Sequence, residues 1–597
     1  MGLPLFAFLG VAIASTSAFA DGCKLGKFAE FPIAMVGDRP LMTARINDVD
    51  VQLVVDSGAT YSMISAASAA ELKLKSYPAA FGLYVTGAHG TADVSIATAK
   101  SFTLAGAPLH NVDFLVGGSE AGAGSIGALG QNILHIADVE YDLVQGVVRL
   151  IKPEDCRKAT LAYWAGKTTP YSVIDLLPDA AQGTRRPSLT SSSAYINGVS
   201  IRVLFDTGAG ASILSLKAAA RAGIKPDSPG VVSAGASHGI GKSTFATYIA
   251  PFASFKIGDE EIRNTRLRIG DIDLPDVDML IGPDFFLSHR IYVANSQNKL
   301  YFTYNGGPVF NLTTGNRPVA EPATGAATLE TNKADAATED AADYSRRGAA
   351  LAARGEFEQA LTAVTRACEL APENPDYLYQ RGLVYGQLKQ PAAAITDFDQ
   401  SLKLKPNNLR ALIARAQLLI KRGDNDLAAA DLDAADAVAP REANERYQIA
   451  YGYERADRLA PAISQLTLWI DSHADDARLP EALNSRCWFR VLEGTDLPLA
   501  LNDCNAALKR AEKSSPFYAK VAASRGLLFL RMGEYDRSIA DYDASLRINA
   551  NNPWSLYGRG IDKLRRQNPS DGDADIAKAT TIWPQITQEF KRRGIVP

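Results

Sequence analysis

Two similar segments constrain the fold of this chain more than any other feature of its sequence. The first is VVDSGATYSMIS, which carries Asp56, and the second is VLFDTGAGASILS, which carries Asp206. In each copy an apolar run ends in Asp-Ser/Thr-Gly-Ala and is followed by a small, polar run and an Ala-rich stretch. One Asp-Gly turn after a strand is common, but its repetition predicts two related β-rich units that each present a carboxylate.

The two aspartates suit a shared catalytic role. Carboxyl groups that face each other at about 3 Å cannot both ionise, so one stays protonated as an acid while the other acts as a base. We expect Asp56 and Asp206 to meet within one chain. The alternatives are that each unit pairs with its twin in another molecule, or that both residues only cap turns in a binding domain.

The residues that follow each aspartate favour the catalytic role. Gly58 and Gly208 permit a close backbone approach that a side chain would block. Ser57 and Thr207 can form hydrogen bonds across a two-fold junction and hold the two loops rigid. We therefore expect these four residues to support the catalytic loops.

With these motifs the sequence resembles the retropepsin-like aspartic proteases, and specifically bacterial relatives with two such domains in tandem. The resemblance covers about residues 30–305. That family closes each domain with two apolar residues and a glycine, followed by a short helix and a hairpin. The corresponding segments are SIGALGQNIL before VEYDLVQGVVRL, and MLIGPDFFL before RIYVANSQNKLYF. In the first copy the closing glycine is either Gly127 or Gly130.

Each copy also contains a Gly-rich segment similar to the flap of that family. These segments are LYVTGAHGTADV and SAGASHGIGKSTF, and the flap candidates are Gly87, His89, Gly90, Gly235, His238 and Gly239. The two histidines occupy similar positions in the two segments. They either contact substrate or, as we expect, are polar residues at exposed hairpin tips.

The resemblance implies an aspartic-type endopeptidase that hydrolyses peptide bonds through Asp56, Asp206 and an activated water, without a cofactor. The spacings of Cys, His, Asp and Glu match neither a zinc site nor an EF-hand, so we expect no metal. The alternative function is a non-catalytic scaffold that binds peptides and acts mainly through its C-terminal region.

That C-terminal region has its own periodicity. From Ala341 onward Gly and Ala recur at a 34-residue period, which is typical of tetratricopeptide repeats, and we expect six units and a cap after Trp554. The expected fold is therefore multidomain, with two mainly-β retropepsin-like domains followed by an all-α tetratricopeptide-repeat solenoid. The expected boundaries are a signal peptide at 1–20, domains at 24–156 and 170–306, a flexible linker at 311–340 and the repeats at 341–590.

The N-terminus and the cysteines indicate an exported protein. Residues 1–20 contain an apolar core and the sequence Ala-Phe-Ala before Asp21, as in a secretory signal, although a retained anchor is the alternative. The five cysteines suit an oxidising compartment, either the bacterial periplasm or the exterior. Two disulfides are expected, one between Cys23 and Cys156 at the ends of the first β unit, and one between Cys487 and Cys504 within one repeat.

Charge and hydropathy limit the partners. The net charge is −4 and charges of both signs are interleaved without a basic stripe, so a nucleic-acid partner is not expected. After the signal segment no apolar run approaches the roughly 20 residues that a membrane span requires. The expected partners are a protein or peptide substrate and a protein bound by the repeats.

Overall fold

The computed structural model describes residues 23–79, 84–88, 90–118, 124–166, 169–178, 189–238, 244–310, 312 and 339–596. The predicted signal peptide and nearly all of the predicted linker lie outside these residues. The chain divides into two compact units, Met1–Pro406 and Asn407–Pro597. Among the described residues, the first unit contains two β-rich halves, each with two short helices, and the first four helices of the repeat region, while the second unit is helical.

The first β-rich half contains twelve strands and two short helices. In chain order they are β1 (Lys24–Val36), β2 (Arg39–Ile46), β3 (Val49–Val55), β4 (Met63–Ile64), α1 (Ala66–Glu71), β5 (Ser76–Pro78), β6 (Tyr84–Thr86), β7 (Thr91–Asp93), β8 (Ser95–Leu104), β9 (Ala107–Val116), β10 (Gly127–Leu129), α2 (Gln131–Leu134), β11 (Asp138–Asp142) and β12 (Val147–Glu154).

The second β-rich half has nearly the same sequence of elements. They are β13 (Ser172–Asp175), β14 (Ser191–Ile196), β15 (Val199–Phe205), β16 (Ile213–Ser215), α3 (Leu216–Arg221), β17 (Val232–His238), β18 (Thr244–Ile257), β19 (Glu260–Gly270), β20 (Met279–Ile281), α4 (Pro283–Ser288), β21 (His289–Ala294) and β22 (Lys299–Tyr304).

The two halves share one topology. In the first half the pairing order is β2-β3-β10-β4-β9-β8, and β8 returns to pair with β2. In the second half the order is β14-β15-β20-β16-β19-β18, and β18 returns to pair with β14. Each aspartate strand, β3 or β15, lies parallel to the short strand that precedes the closing helix. The repeated sequence segments therefore fold as repeated structure.

The first hairpin of each half shows how the sequence specifies this topology. β2 and β3 are joined at Asn47 and Asp48, which both have positive φ, and β14 and β15 are joined at Asn197 and Gly198, which do the same. Two consecutive residues with positive φ form the tight turn whose twist matches antiparallel strands, and Asn, Asp and Gly tolerate it best.

The sheet of the first half continues into the second half. The closing hairpins β11–β12 and β21–β22 meet where β11 pairs with β21, β13 pairs with β22 at the outer edge, and β1 joins β12 to β2. Glu140 on β11 is buried, and it accepts a hydrogen bond from Arg290 on β21 at 2.5 Å. Tyr141 packs edge-on against Phe286, with ring centroids 5.2 Å apart. The two halves therefore share one core rather than forming separate globules.

The first helices of the repeat region belong to the same compact unit. They are α5 (Ala341–Ala353), α6 (Phe357–Leu370), α7 (Pro375–Gln387) and α8 (Pro391–Leu404). Ala350 of α5 is fully buried in the hydrophobic core that spans both β-rich halves, and Ala349 and Ala353 pack against that core. The Arg354 guanidinium lies against Gly307 and pairs with Glu356 at 2.7 Å. Helix α5 therefore covers part of the β-rich core.

The second unit is a run of antiparallel helix pairs. Its helices are α9 (Leu409–Arg422), α10 (Asn425–Val438), α11 (Glu445–Arg455), α12 (Leu459–Ser472), α13 (Leu479–Glu493), α14 (Leu497–Arg510), α15 (Pro516–Met532), α16 (Tyr535–Ile548), α17 (Pro553–Arg565), α18 (Pro569–Ile582) and α19 (Ile586–Arg592). The described residues thus contain seven helix pairs and a final helix. The expected count of six pairs was wrong, because the segment after Trp554 forms the pair α17–α18 instead of a cap.

A recurrent ion pair joins the two helices of most repeats. In five pairs an Arg of the first helix forms two hydrogen bonds to an Asp of the second, 16 or 17 positions later: Arg381–Asp397, Arg415–Asp431, Arg486–Asp503, Arg525–Asp541 and Arg559–Asp575. Two parallel N–H···O bonds fix both distance and orientation. This pairing was not predicted from the sequence, although its spacing is visible there.

Both expected disulfides are present. Cys23 is bonded to Cys156, and Cys487 on α13 is bonded to Cys504 on α14. Cys368 is a buried free thiol. The second bridge joins the two helices of a single repeat, as predicted.

Among the residues that the structure describes, every helix is too short or too polar to cross a bilayer.

Candidate active site

The two aspartates lie at the ends of equivalent strands and meet in one chain. Asp56 follows β3 and Asp206 follows β15, and the Asp56 and Asp206 backbone N–H groups donate to Leu129 and Ile281 carbonyl oxygens at 3.0 and 2.8 Å. Their side-chain carboxyl groups are hydrogen-bonded to each other. They line the floor of a cleft of about 1060 Å³ between the two β-rich halves. The predicted meeting within one chain is therefore what the structure contains.

Each carboxyl group is held in place by its own loop. The Oδ1 atom of Asp56 accepts hydrogen bonds from the backbone N–H groups of Gly58 and Ala59, both at 2.9 Å. The Oδ1 atom of Asp206 accepts the equivalent bonds from Gly208 and Ala209 at 2.9 and 3.0 Å. One oxygen of each aspartate is thereby fixed, and the other is left to face the partner carboxyl and the cleft.

Ser57 and Thr207 lock the two loops together across the junction, as the sequence predicted. The N–H group of Ser57 donates to Thr207 Oγ1 at 3.0 Å, and the N–H group of Thr207 donates to Ser57 Oγ at 3.0 Å. The Ser57 hydroxyl donates to the Phe205 carbonyl at 2.8 Å, and the Thr207 hydroxyl donates to the Val55 carbonyl at 2.6 Å. Both side chains are buried, so these bonds hold the loops without competition from water.

Gly58 and Gly208 are required by the close approach of the two carboxyl groups. A methyl group on Gly58 would collide with the carboxyl group of Asp206, and one on Gly208 would collide with that of Asp56. Neither glycine has a positive φ, so the constraint here is space rather than backbone conformation.

A second layer of hydrogen bonds resolves the closing glycine of the first half. The Ser62 hydroxyl accepts from the Gly130 N–H at 3.1 Å and donates to Asn132 at 2.9 Å. In the second half Ser212 makes the same bonds with Gly282 and Asp284, at 2.9 and 2.6 Å. Gly130 is thus the counterpart of Gly282. The other candidate, Gly127, lies inside β10.

Two residues below the Asp56 loop were not predicted. The Gln131 side-chain amide donates to the Ser57 carbonyl oxygen at 2.8 Å and is itself buried. Tyr141 is buried nearby, and its pKa is raised by burial and by the charge of Asp56. Gln131 lies on α2 and Tyr141 on β11, so both reach the site through the packing of elements distant from Asp56 in sequence, and no local sequence signal marks them.

The site favours one shared proton. Burial raises the pKa of Asp56, while the hydrogen bond from Asp206 and the charge of Arg39 lower it. Burial and then the negative charge of Asp56 raise the pKa of Asp206 to about 8. These directions place the shared proton more on Asp206 than on Asp56, in a pair that titrates jointly.

The first flap candidate is a hairpin that reaches the opposite half. Strands β6 and β7 pair antiparallel, and Gly87 N–H donates to the Gly90 carbonyl oxygen at 3.0 Å across the turn. The carbonyl oxygen of Ala88 accepts from the N–H group of Asp273, in the second half, at 2.9 Å. The hairpin thereby bridges the cleft. His89 lies outside the described residues.

The second flap candidate also lies in a hairpin. Strands β17 and β18 pair with each other, and His238 ends β17. Gly235 lies within β17 at an irregularity of the pairing, with φ of +85°. A glycine accommodates this left-handed backbone in a β-bulge. Gly239 lies outside the described residues.

Both walls of the cleft contain apolar side chains. Each half contributes one cluster: Met63, Leu115 and Ala128 in the first half, and Leu189, Leu204, Ile213, Phe245 and Leu280 in the second. Two cations, Arg39 and Arg268, also line the cleft. Within the described residues, His, Cys, Asp and Glu form no group that could hold a metal ion.

Comparison with known families agrees with this geometry. The "Aspartyl protease" family model matches residues 42–133, and the "gag-polyprotein putative aspartyl protease" model matches residues 192–288. Each match contains one aspartate loop and one closing helix. Two tetratricopeptide-repeat family models match residues 347–419 and 493–553.

Individual relatives cover parts of the chain. The DnaJ homolog subfamily C member 3 of Mus musculus is 25% identical over 218 residues, which are 34% of this chain and 42% of that protein. The photosystem I assembly protein Ycf3 of Acaryochloris marina is 30% identical over 141 residues, 23% of this chain and 80% of that protein. A crystal structure of a tetratricopeptide-repeat protein from Parabacteroides merdae is 16% identical with a TM-score of 0.32, covering 42% of this chain and 98% of that one.

The chain spans less than half of the length of the mouse relative. The assignment of domains therefore rests on the four family models and not on any one relative. The chain contains two aspartyl-protease (retropepsin-like) domains, followed by tetratricopeptide repeats.

Proposed function

We propose that this protein is an aspartic endopeptidase whose catalytic residues are Asp56 and Asp206. The observation that carries the proposal is the hydrogen-bonded carboxyl pair at the floor of the cleft, held by mutual bonds between Ser57 and Thr207. A turn-capping role would need only the Oδ1 atoms. It would not need the two loops to meet, nor two glycines that leave room for the opposite carboxyl group.

The charges assign the roles. A water molecule between the two carboxyl groups loses a proton to the ionised Asp56 as its oxygen attacks the carbonyl carbon of the peptide bond. The neutral Asp206 donates its proton to the carbonyl oxygen, which yields a tetrahedral diol. The proton on Asp56 then passes to the amide nitrogen, the C–N bond breaks, and a hydroxyl proton of the diol returns to Asp206. Each aspartate ends in its starting protonation state.

The cleft is suited to an extended peptide. The hairpin β6–β7 borders the cleft and bridges to the second half through the hydrogen bond from the Asp273 N–H to the Ala88 carbonyl oxygen. The apolar walls around Met63 and Ile213 favour apolar side chains on both sides of the cleaved bond, because burying them removes apolar surface from water.

We further propose that the protein is exported and that its repeats bind a protein, either the substrate or a partner. Both disulfides support an oxidising compartment, in the periplasm or outside the cell. Stacked helix pairs present an extended surface of the kind that binds peptides and protein surfaces. A repeat region that holds the substrate would raise its effective concentration at the cleft.

The test is cleavage of a denatured protein by the wild type and by Asp56→Asn and Asp206→Asn variants. We expect either substitution to abolish cleavage while circular dichroism and the melting temperature stay close to those of the wild type. An exposed control, Asp50→Asn, should cleave normally. Retained cleavage by Asp206→Asn would refute the carboxyl pair. Absence of cleavage by all proteins, together with peptide binding, would favour the non-catalytic scaffold.

A further inference from the structure

The two halves of the cleft differ in charge at equivalent positions. Met63 and Ile213 are equivalent residues of the two halves, and each pairs with a neighbouring strand. Met63 pairs with Leu115 and Ile213 pairs with Arg268, so Leu115 and Arg268 are counterparts. Leu41 pairs with Val54 as Ser191 pairs with Leu204, and two residues earlier Arg39 corresponds to Leu189. All four counterpart side chains line the cleft. Each half therefore contributes one arginine and one leucine.

The two arginines lie at one end of the cleft. Arg39 belongs to the first half, but its guanidinium reaches the second half, since a Cβ atom added to Gly210 would lie 3.9 Å from Arg39 Nη2. Arg268 lies on β19 of the second half. Both guanidinium groups counteract the burial that raises the pKa of Asp38, so the three groups are neighbours. The two leucines lie in the apolar clusters, Leu115 beside Met63 and Leu189 beside Leu204.

The guanidinium groups of Arg39 and Arg268 have unused hydrogen-bond donors among the described residues. Within the described residues no hydrogen bond or ion pair within 4 Å is formed by either guanidinium, whereas the arginines of the repeats are paired with aspartates. The acidic groups near them are Asp38, Asp284 and the catalytic pair. Asp284 accepts from Ser212 and Phe285 through one oxygen. A planar guanidinium at a half-buried position is well matched to a carboxylate.

We propose that Arg39 and Arg268 bind an acidic side chain of the substrate, within a few residues of the cleaved bond and on one side of it only. This inference rests on the proposed peptidase function and specifies its substrate class: peptides with apolar residues at the cleaved bond and an Asp or Glu toward the arginine-lined end. The leucines at the counterpart positions leave the other end without such a preference.

The test uses synthetic peptides with amidated C-termini, so that only side chains supply carboxylates. Pairs of peptides carry Glu or Gln at one position, placed in turn two, three or four residues to either side of the cleaved bond. We expect the wild type to favour Glu over Gln in kcat/KM by about tenfold at one or two positions on one side, and by less than about twofold on the other.

Substitutions that copy the other half provide matched variants. Arg268→Leu and Arg39→Leu install the residues found at the counterpart positions, and the double variant should lower the Glu-to-Gln ratio to about one. Arg263→Leu removes an exposed arginine from the same strand as Arg268 and should keep the wild-type ratio. The readout is the ratio for each enzyme, which is independent of its overall rate.

Binding separates this inference from the proposed function. The affinities of the same peptides for Asp206→Asn, measured by fluorescence anisotropy, report charge recognition without catalysis, and the Glu peptide should bind about tenfold more tightly. Cleavage without a Glu preference would overturn the inference and leave the peptidase function standing. A Glu preference in binding, without cleavage by the wild type, would support the inference and overturn the peptidase function. A preference that persists in the double arginine variant would also overturn it.

Discussion

The Asp56 and Asp206 loops differ at single residues, and these differences change the hydrogen bonds that hold each loop. Ser57 and Thr207 occupy equivalent positions and exchange N–H···Oγ bonds of equal length, 3.0 Å each. The support from the closing helices differs, because Gln131 at the start of α2 donates to the Ser57 carbonyl, whereas its counterpart Pro283 at the start of α4 has no side-chain donor. The pair of loops is therefore held symmetrically at its centre and asymmetrically at its edges.

Removing the Thr207 hydroxyl should weaken both loops. In Thr207→Val the buried Ser57 N–H loses its acceptor and the Val55 carbonyl loses a donor. We expect the free energy of unfolding to fall by about 2 kcal/mol or more, and kcat to fall with it, since a buried unpaired N–H is costly. Thr207→Ser retains the hydroxyl and serves as the control in urea unfolding and peptide cleavage. Equal stability of the Val and Ser variants would contradict this account.

The proposed mechanism makes a shared proton the determinant of the pH range of activity. In that mechanism cleavage requires Asp206 protonated and Asp56 ionised, and burial and the charge of Asp56 raise the pKa of Asp206 to about 8. We expect kcat/KM to persist through neutral pH, to fall as pH rises past about 8, and to fall on the acid side when Asp56 also takes a proton. A pH profile of kcat/KM on an uncharged peptide measures both limits. Loss of activity well below pH 7 on the alkaline side would contradict the assignment.

At the scale of elements, sequence patterns predicted the segments that are repeated, but they did not predict contacts between residues distant in sequence. The duplicated Asp-Ser/Thr-Gly segments predicted both aspartate loops, since strand, turn and helix are local there. Arg39 and Gln131 reach the site only through strand pairing and helix placement, which no local pattern reports. The Gly-rich run around Gly235 predicted a flap hairpin but not the β-bulge that this glycine occupies. The segment after Trp554 was expected to be a cap, but its Arg559–Asp575 pair is the one found in the other repeats.

Helix α17 contains a buried acid without a hydrogen-bond partner. Asp562 is fully buried, and within the described residues neither carboxyl oxygen accepts a hydrogen bond, because the nearby Ser538 hydroxyl donates to the Gly526 carbonyl at 2.8 Å. Burial raises the pKa of Asp562 to about 7. The folded state therefore binds a proton that the unfolded state releases near pH 4, and stability is lost as pH rises from about 4 to about 7.

Asp562→Asn should remove this pH dependence. The amide stays neutral at every pH, so we expect the variant to be more stable than the wild type above pH 7, by about 1.4 kcal/mol for each unit by which the folded-state pKa is raised. Hydrogen exchange of the α17 amides and urea unfolding, each at pH 5 and pH 8, measure the difference. The exposed Asp573→Asn on α18 is the control and should change neither value. A variant less stable than the wild type at pH 8 would show that the carboxylate is satisfied.

At the scale of the whole molecule, the boundary between compact units does not coincide with the boundary between sequence families. The tetratricopeptide-repeat family match begins at residue 347, within α5, but α5 contributes Ala350 to the core of the β-rich halves. The first compact unit continues to Pro406. The sequence predicted a separate repeat domain that begins at residue 341, after a flexible linker. The first helix of the repeats does not fit that expectation, because apolar residues of α5 pack in the neighbouring core.

Two truncations should therefore behave differently. A chain that ends at residue 322 lacks α5, so the part of the core where Ala350 packs is exposed. A chain that ends at Pro406 keeps the whole first unit. We expect the longer form to cleave short peptides at close to the full-length rate, and the shorter form to melt several degrees lower, as a loss of a few kcal/mol implies.

If the repeats recruit substrate, the longer form should cleave native proteins more slowly than the full chain while its rate on short peptides is unchanged. Equal rates on native proteins would refute the recruiting role, and equal melting temperatures of the two truncated forms would refute the role of α5 in the core.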